Sequence, residues 1–169
     1  MIEQEIENTL QHLAGALTAK GWLMATAESC TGGWVAKCCT DRAGSSAWFD
    51  RGFITYSDRA KTDMLQVEPA ALGQHGAVSE VVAKQMAQGA LDAAGVDASL
   101  AVTGVAGPDG GTEEKPVGTV WFAWVVRGQG VRSERIRFEG SRDSIRHQSV
   151  LHALQGMLRF VRGDDDLGR

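Results

Sequence analysis

Apolar residues recur every three or four positions through residues 2–20. Ile2, Ile6, Leu10, Leu13 and Leu17 form one stripe, and Gly21 follows it. That spacing predicts an amphipathic helix with a glycine stop. A short strand over 22–27 runs into Glu28-Ser29-Cys30-Thr31-Gly32-Gly33, and a helix is expected over 34–40. The stretch 41–50 reads as a loop with Gly44, Ser45 and Ser46, and 51–56 is β-rich. Asp58 is expected to cap a short helix through Leu65, 73–77 to be loop, and Ser79 to cap a long Ala-rich helix to Ala94.

In the second half, the strand over 99–103 opens into Gly104-Val105-Ala106-Gly107-Pro108-Asp109-Gly110-Gly111. Residues 119–126 are apolar on both faces: Val120, Phe122 and Trp124 alternate with Trp121, Ala123 and Val125. Such a strand belongs inside a sheet covered on both sides. Gly128-Gln129-Gly130 reads as a hairpin turn, and its partner over 131–139 is more polar, hence nearer an edge. A last helix over 141–162 is expected to bury Ile145, Leu151, Leu154, Leu158 and Val161. The pattern describes one domain over 1–162 with a flexible acidic tail over 163–169. The predicted fold is α/β, a three-layer α/β/α sandwich with a mixed β-sheet, because helices alternate with strands yet the hairpin is antiparallel.

Composition narrows the picture. Hydrophobic residues at 43% and charged residues at 22% suit a globular chain and exclude a mostly disordered one. Seventeen basic against twenty-one acidic residues do not favour nucleic acid or anionic lipid as partners. The longest apolar run, 120–126, falls far short of the ~20 residues of a membrane helix. The start MIEQEIENTL is acidic and amphipathic, unlike a signal peptide. Cys30, Cys38 and Cys39 form no disulfide framework, and Cys38 and Cys39 lack metal-ligand spacing. The expectation is a cytoplasmic protein with no metal.

Three places carry candidate chemistry. Ser29 falls where a strand ends and a helix begins, so its hydroxyl projects at the sheet edge. The N–H groups of Thr31, Gly32 and Gly33 then point out of the helix start, suited to an anion or a developing oxyanion. The turn resembles a nucleophile elbow without its flanking glycines, since Ala27 and Thr31 stand there. A plainer role is open: Ser29 or Thr31 caps the helix. Cys30 is a second candidate nucleophile, or a small buried hydrophobe. Tyr56 and Lys61 form the second place. A lysine on a helix's first turn, partly desolvated, loses basicity and can serve a serine as base. An exposed Lys and a core Tyr are the alternative. Among the histidines only His75 sits in a loop able to reach such a site. The third place is the glycine loop from Thr103 through Gly104 to Gly107, at a strand's C-terminal end, with Arg142 and Arg146 one helical turn apart. Two guanidiniums suit a phosphate or carboxylate, or surface ion pairs with Glu139 or Asp143.

The order of these blocks is more specific than any one of them. A-E-S-C-T-G-G (27–33), G-S-S (44–46), F-I-T-Y-S…A-K (53–61), G-A-V-S (76–79), A-V-T-G-V-A-G-P-D-G-G (101–111), P-V-G-T-V (116–120) and G-x-R-x-x-I-R (140–146) together resemble the C-terminal domain of the CinA family, over nearly the whole chain. The resemblance implies a stand-alone nicotinamide-nucleotide amidohydrolase, turning nicotinamide mononucleotide into nicotinic acid mononucleotide and ammonia without a cofactor. By that analogy Ser29 is the nucleophile and Lys61 the base, with Tyr56 in the same pocket as a third catalytic residue helping the proton transfer. Thr31, Gly32, Gly33, Ser46, Thr103, Gly104 and Gly107 would bind substrate, and Arg142 or Arg146 would meet the phosphate. Two other functions fit the same pocket: an inactive nucleotide-binding module acting through a partner, and a Ser–Lys amidase for another small amide. Small α/β enzymes often pair, so a homodimer stays open.

Overall fold

A computed structural model describes residues 1–164. The elements are α1 (Ile2–Lys20), β1 (Met24–Glu28), α2 (Trp34–Thr40), β2 (Phe49–Ile54), α3 (Asp58–Leu65), α4 (Pro69–His75), α5 (Glu80–Ala94), β3 (Ala98–Gly104), β4 (Thr119–Val126), β5 (Gly130–Arg137) and α6 (Arg142–Arg162). The five strands form one sheet in the order β2-β1-β3-β4-β5. β1 pairs in parallel with both β2 and β3, whereas β4 and β5 join antiparallel. The mixed three-layer α/β/α sandwich expected from the pattern is the observed architecture.

Alternation along the strands sorts the core into two layers. Met24, Leu100, Val102, Val120, Phe122 and Trp124 face α1, α2 and α6. Ala25, Ala27, Ala101 and Ala123 face the other way, against α3, α4 and α5. The first layer is built of large side chains. The second is built largely of alanines, and α5 answers with its own Ala83, Ala87 and Ala90. Small residues on both sides bring α5 close to the sheet. Gly89 of α5 extends this, because a Cβ there would stand 2.0 Å from the Leu65 carbonyl oxygen. α3 is therefore seated tightly on α5, which fixes the helix that carries Lys61.

The connections place a crevice. β1 leads outward to β2 through α2, and the chain returns past β1 to β3 through α3, α4 and α5 on the opposite face. The winding direction reverses between β1 and β3. In open α/β sheets, ligands bind outside the carboxyl ends of the strands at such a point. Ser29 follows β1 there, and Gly104 ends β3.

Several local expectations differ. Ser57, not Asp58, caps α3, accepting a hydrogen bond from the Ala60 N–H. Asp58 is the first helical residue, a favourable place for an acid. The stretch 73–77 is not all loop, since α4 runs to His75, starting with Pro69 in its first turn. β1 begins two residues later than expected, at Met24. The buried stripe of α6 is rotated. Ile145, Leu154 and Val161 are buried as expected, but Leu151 and Leu158 are half-buried, and Val150, Ala153, Met157 and Phe160 fill the core. α6 packs against α1 as well as the sheet, so its buried face is wider than one stripe. Of the tail over 163–169, residues 165–169 lie outside the described residues; Gly163 is the left-handed C-cap of α6. Among the described residues no helix is long and apolar enough to cross a membrane.

Candidate active site

The Lys61 ammonium nitrogen stands 2.9 Å from Ser29 Oγ and donates a second hydrogen bond, 2.7 Å, to the Thr55 carbonyl. Lys61 is 1% exposed, on the first turn of α3. Burial lowers its pKa below the ordinary lysine value, and nearby Asp58 opposes that in part. Thr55 joins the two halves of this contact. Its N–H extends the β1–β2 ladder to the Glu28 carbonyl at 2.9 Å, and its own carbonyl takes Lys61.

Glu28, the last residue of β1, is fully buried and was not singled out by the sequence reading. Its carboxylate accepts hydrogen bonds from Thr31 Oγ1 at 2.7 Å, from Val35 N–H at 2.8 Å and from Ala36 N–H at 3.0 Å. It therefore satisfies the free donors at the start of α2 and meets the positive end of that helix. Neither Ser29 nor Thr31 caps the helix; Gly33 is the N-cap residue and no side chain of its own is involved. The legible signal was an acid placed just ahead of a helix start, hidden by the more familiar Ser and Thr.

The turn itself is tight. Gly32 N–H bonds Ser29 O at 3.0 Å, and Gly32 and Gly33 adopt φ of 59° and 98°, which favour glycine. Ser29 and Cys30 line a cavity of about 280 Å³ with Tyr56, Lys61, Ala77, Val78, Thr103, Gly104, Ala106 and Arg142. Cys30 is a protonated thiol there, since burial pushes its pKa up to about 12. A helix start alone does not make it a thiolate.

Val105 N–H bonds Thr119 O at 2.9 Å, so by antiparallel alternation the Gly104 N–H turns away from β4, toward the end of β1. Gly104 is glycine because β4 lies close: a Cβ would stand 2.7 Å from Val120 Cγ2. Thr103 is buried and its hydroxyl donates to Ala77 O at 2.9 Å, tying the loop before α5 to the cavity wall.

Arg142 spans the mouth of the cavity. It donates to Gly107 O at 2.6 Å and to the Tyr56 hydroxyl at 3.1 Å. Tyr56 is no core residue: it is 64% exposed. The two arginines part company. Arg146 does not line the cavity; it donates to Cys30 O at 3.0 Å and to Thr31 O at 3.3 Å, behind the turn. Ser46 is exposed in the short turn before β2 and so lies at the opposite end of the sheet from Ser29, because β1 and β2 run parallel with Met24 beside Phe49. His75 is exposed on α4 and lines no part of this cavity.

The family model for the CinA C-terminal domain matches residues 6–161. "Nicotinamide-nucleotide amidohydrolase PncC" of Escherichia coli (strain K12) is 54% identical over 156 residues, covering 92% of this chain and 94% of that protein. The protein of the same name from Enterobacter agglomerans is 50% identical, covering 96% of this chain and 99% of that one. Among solved structures, the competence/damage inducible protein CihA from Agrobacterium tumefaciens superposes with a TM-score of 0.90 at 43% identity, covering 94% of this chain and 96% of that one. A Klebsiella pneumoniae competence damage-inducible protein A gives 0.90 at 40% identity, covering 95% and 99%. With these matches spanning the sheet, both helical layers and the cavity between β1 and β3, the chain belongs to the CinA C-terminal domain family.

Proposed function

We propose that the protein hydrolyses the carboxamide of nicotinamide mononucleotide, releasing nicotinic acid mononucleotide and ammonia. The observation that carries this reading is the 2.9 Å contact between Lys61 Nζ and Ser29 Oγ in the cavity beyond the ends of β1 and β3. The amidohydrolase names of relatives at 50–54% identity support the substrate.

The chemistry follows from the contacts. A buried lysine sheds its proton more readily. Once neutral, Nζ keeps an N–H on Thr55 O and turns its lone pair to Ser29, whose O–H now donates to it. Ser29 Oγ attacks the amide carbon as its proton passes to Lys61. A negative charge forms on the carbonyl oxygen, and backbone N–H groups beside Ser29 stabilise it. Lys61 returns the proton to the departing nitrogen, the C–N bond breaks and ammonia leaves. Water, losing its proton to the same amine, cleaves the acyl ester and frees the acid. Arg142 at the mouth meets the phosphate, and that remote binding energy holds the amide against Ser29. Tyr56 bonds Arg142 rather than Ser29 or Lys61, so its part is to orient the arginine.

Incubation with nicotinamide mononucleotide and an ammonia assay tests the reading. Turnover lost in Ser29→Ala supports it. Tight binding by the native chain without turnover would instead indicate a nucleotide-binding module. Equal turnover of phosphate-free amides would indicate a general amidase.

A further inference from the structure

Arg146 has the residue type of a phosphate ligand but faces the wrong groups for one. Its guanidinium donates to two consecutive carbonyls, Cys30 O at 3.0 Å and Thr31 O at 3.3 Å, and lies 5.3 Å from the centre of the Trp34 ring. A Cβ on Gly32 would come within 3.5 Å of the same guanidinium. The turn after Ser29 thus lies beside the arginine, at a distance where a Cβ on Gly32 would just touch it.

The consequence is a matter of peptide geometry. Gly107–Pro108 is the cis bond among the described residues, so the peptides of the turn are trans. In a trans peptide, C=O and N–H point in opposite directions. Pulling Thr31 O toward Arg146 sends Gly32 N–H the other way, and that group bonds Ser29 O at 3.0 Å. Pulling Cys30 O toward Arg146 sends Thr31 N–H to the same side. Thr31 is fully buried and does not line the cavity, so this peptide belongs to the support of the turn.

We propose that Arg146 is a positioning residue: by holding the Cys30 and Thr31 carbonyls it fixes the turn that carries Ser29, so that the Ser29 hydroxyl stays aimed at Lys61 in the cavity, and it does not bind the substrate phosphate. This rests on Ser29 being the nucleophile, as in the function proposed above. Glu28, fully buried, accepts from Thr31 Oγ1 in the same segment, so the turn is held by a buried carboxylate and a half-buried guanidinium.

The test compares Arg146→Lys and Arg146→Ala with Arg142→Ala, using nicotinamide mononucleotide and its phosphate-free riboside, after thermal melts have shown folded protein. Losing alignment at the reacting centre lowers kcat by about 10²-fold. The expected result is that loss for both Arg146 variants on both substrates, with KM changed less than about threefold, while Arg142→Ala raises KM for the phosphorylated substrate alone. Added guanidinium should restore part of kcat to Arg146→Ala. A raised KM confined to the phosphorylated substrate, or native kcat in both Arg146 variants, overturns the proposal. If the native protein releases no ammonia, labelling of Ser29 by a fluorophosphonate decides separately. Labelling slowed tenfold or more in Arg146→Lys then supports the positioning role although the substrate reading has failed. Equal labelling rates, or no labelling of native Ser29, overturn it.

Discussion

Lys61 Nζ and Ser29 Oγ meet at 2.9 Å although 32 residues separate them, and the Thr55 carbonyl holds the amine from its other side. Three elements must be in register for this: the end of β1, the end of β2 and the first turn of α3. The β1–β2 ladder aligns the two strand ends, and Gly89 beneath Leu65 seats the helix. The pairing is therefore a product of the sheet and its second helical layer.

Ser29→Ala should reduce ammonia release to background with a melting temperature near that of the native chain, because only a hydroxyl is removed. Cys30→Ser should keep turnover within about an order of magnitude. The Cys30 thiol, with its pKa pushed up to about 12, holds its proton at neutral pH and supplies no nucleophile. Abolished turnover in Cys30→Ser together with native turnover in Ser29→Ala would reverse the assignment.

The pH profile should report Lys61. Its pKa lies below 10.5 in the folded protein because burial disfavours the ammonium. The fraction of free amine, and with it kcat/KM, should climb as pH rises through that lowered pKa. Stability carries the same sign. Between the folded pKa and the unfolded one the unfolded chain holds more protons, so unfolding free energy should rise with pH across that window. Urea midpoints at a series of pH values should show this rise in the native protein and lose that component in Lys61→Met, which should also be inactive. A kcat/KM that falls with pH over the same range would contradict the base assignment.

Glu28→Gln replaces one carboxylate oxygen by a donor facing either Val35 N–H or Ala36 N–H. At least one buried group loses its partner, which costs about 1–3 kcal/mol. A lower urea midpoint and a reduced kcat are expected together, since the same carboxylate anchors the turn bearing Ser29. Unchanged stability would mean that the helix start finds another acceptor.

Tyr56→Phe removes the hydroxyl that meets Arg142 at 3.1 Å. KM for nicotinamide mononucleotide should increase by about threefold to tenfold, in line with losing about one hydrogen bond that orients a charged ligand group. kcat should stay within about threefold. A large fall in kcat at constant KM would instead place the phenol in the proton transfer.

Gly156→Ala should destabilise the fold without touching the site. The new Cβ would stand 2.1 Å from Trp124 Cζ2, and Trp124 cannot withdraw easily because its indole N–H bonds Ala153 O at 2.8 Å. Overpacking of this kind costs about 1–3 kcal/mol. A thermal melt at native temperature would show that α6 can shift outward.

What the chain determines by itself is the set of elements and the residues that carry chemistry. A stripe of period 3.6 marked α1, a serine cap before an Ala-rich run marked α5, and the two-sided apolar run marked β4 as an inner strand, because local patterning records burial directly. Ser29 and Lys61 were visible through their places at a strand end and a first helical turn, and through the family blocks around them. Position in space was not local information. Arg142 and Arg146 lie on one face of α6, yet one spans the cavity mouth and the other braces the Ser29 turn, since successive turns of the helix meet different loops. Ser46 shares a block pattern with the site but falls at the far end of the sheet, because parallel pairing puts the start of β2 beside the start of β1. Glu28 reads as one more acid among twenty-one acidic residues until folding buries it at the start of α2, where its carboxylate takes the hydrogen bonds of Thr31, Val35 and Ala36.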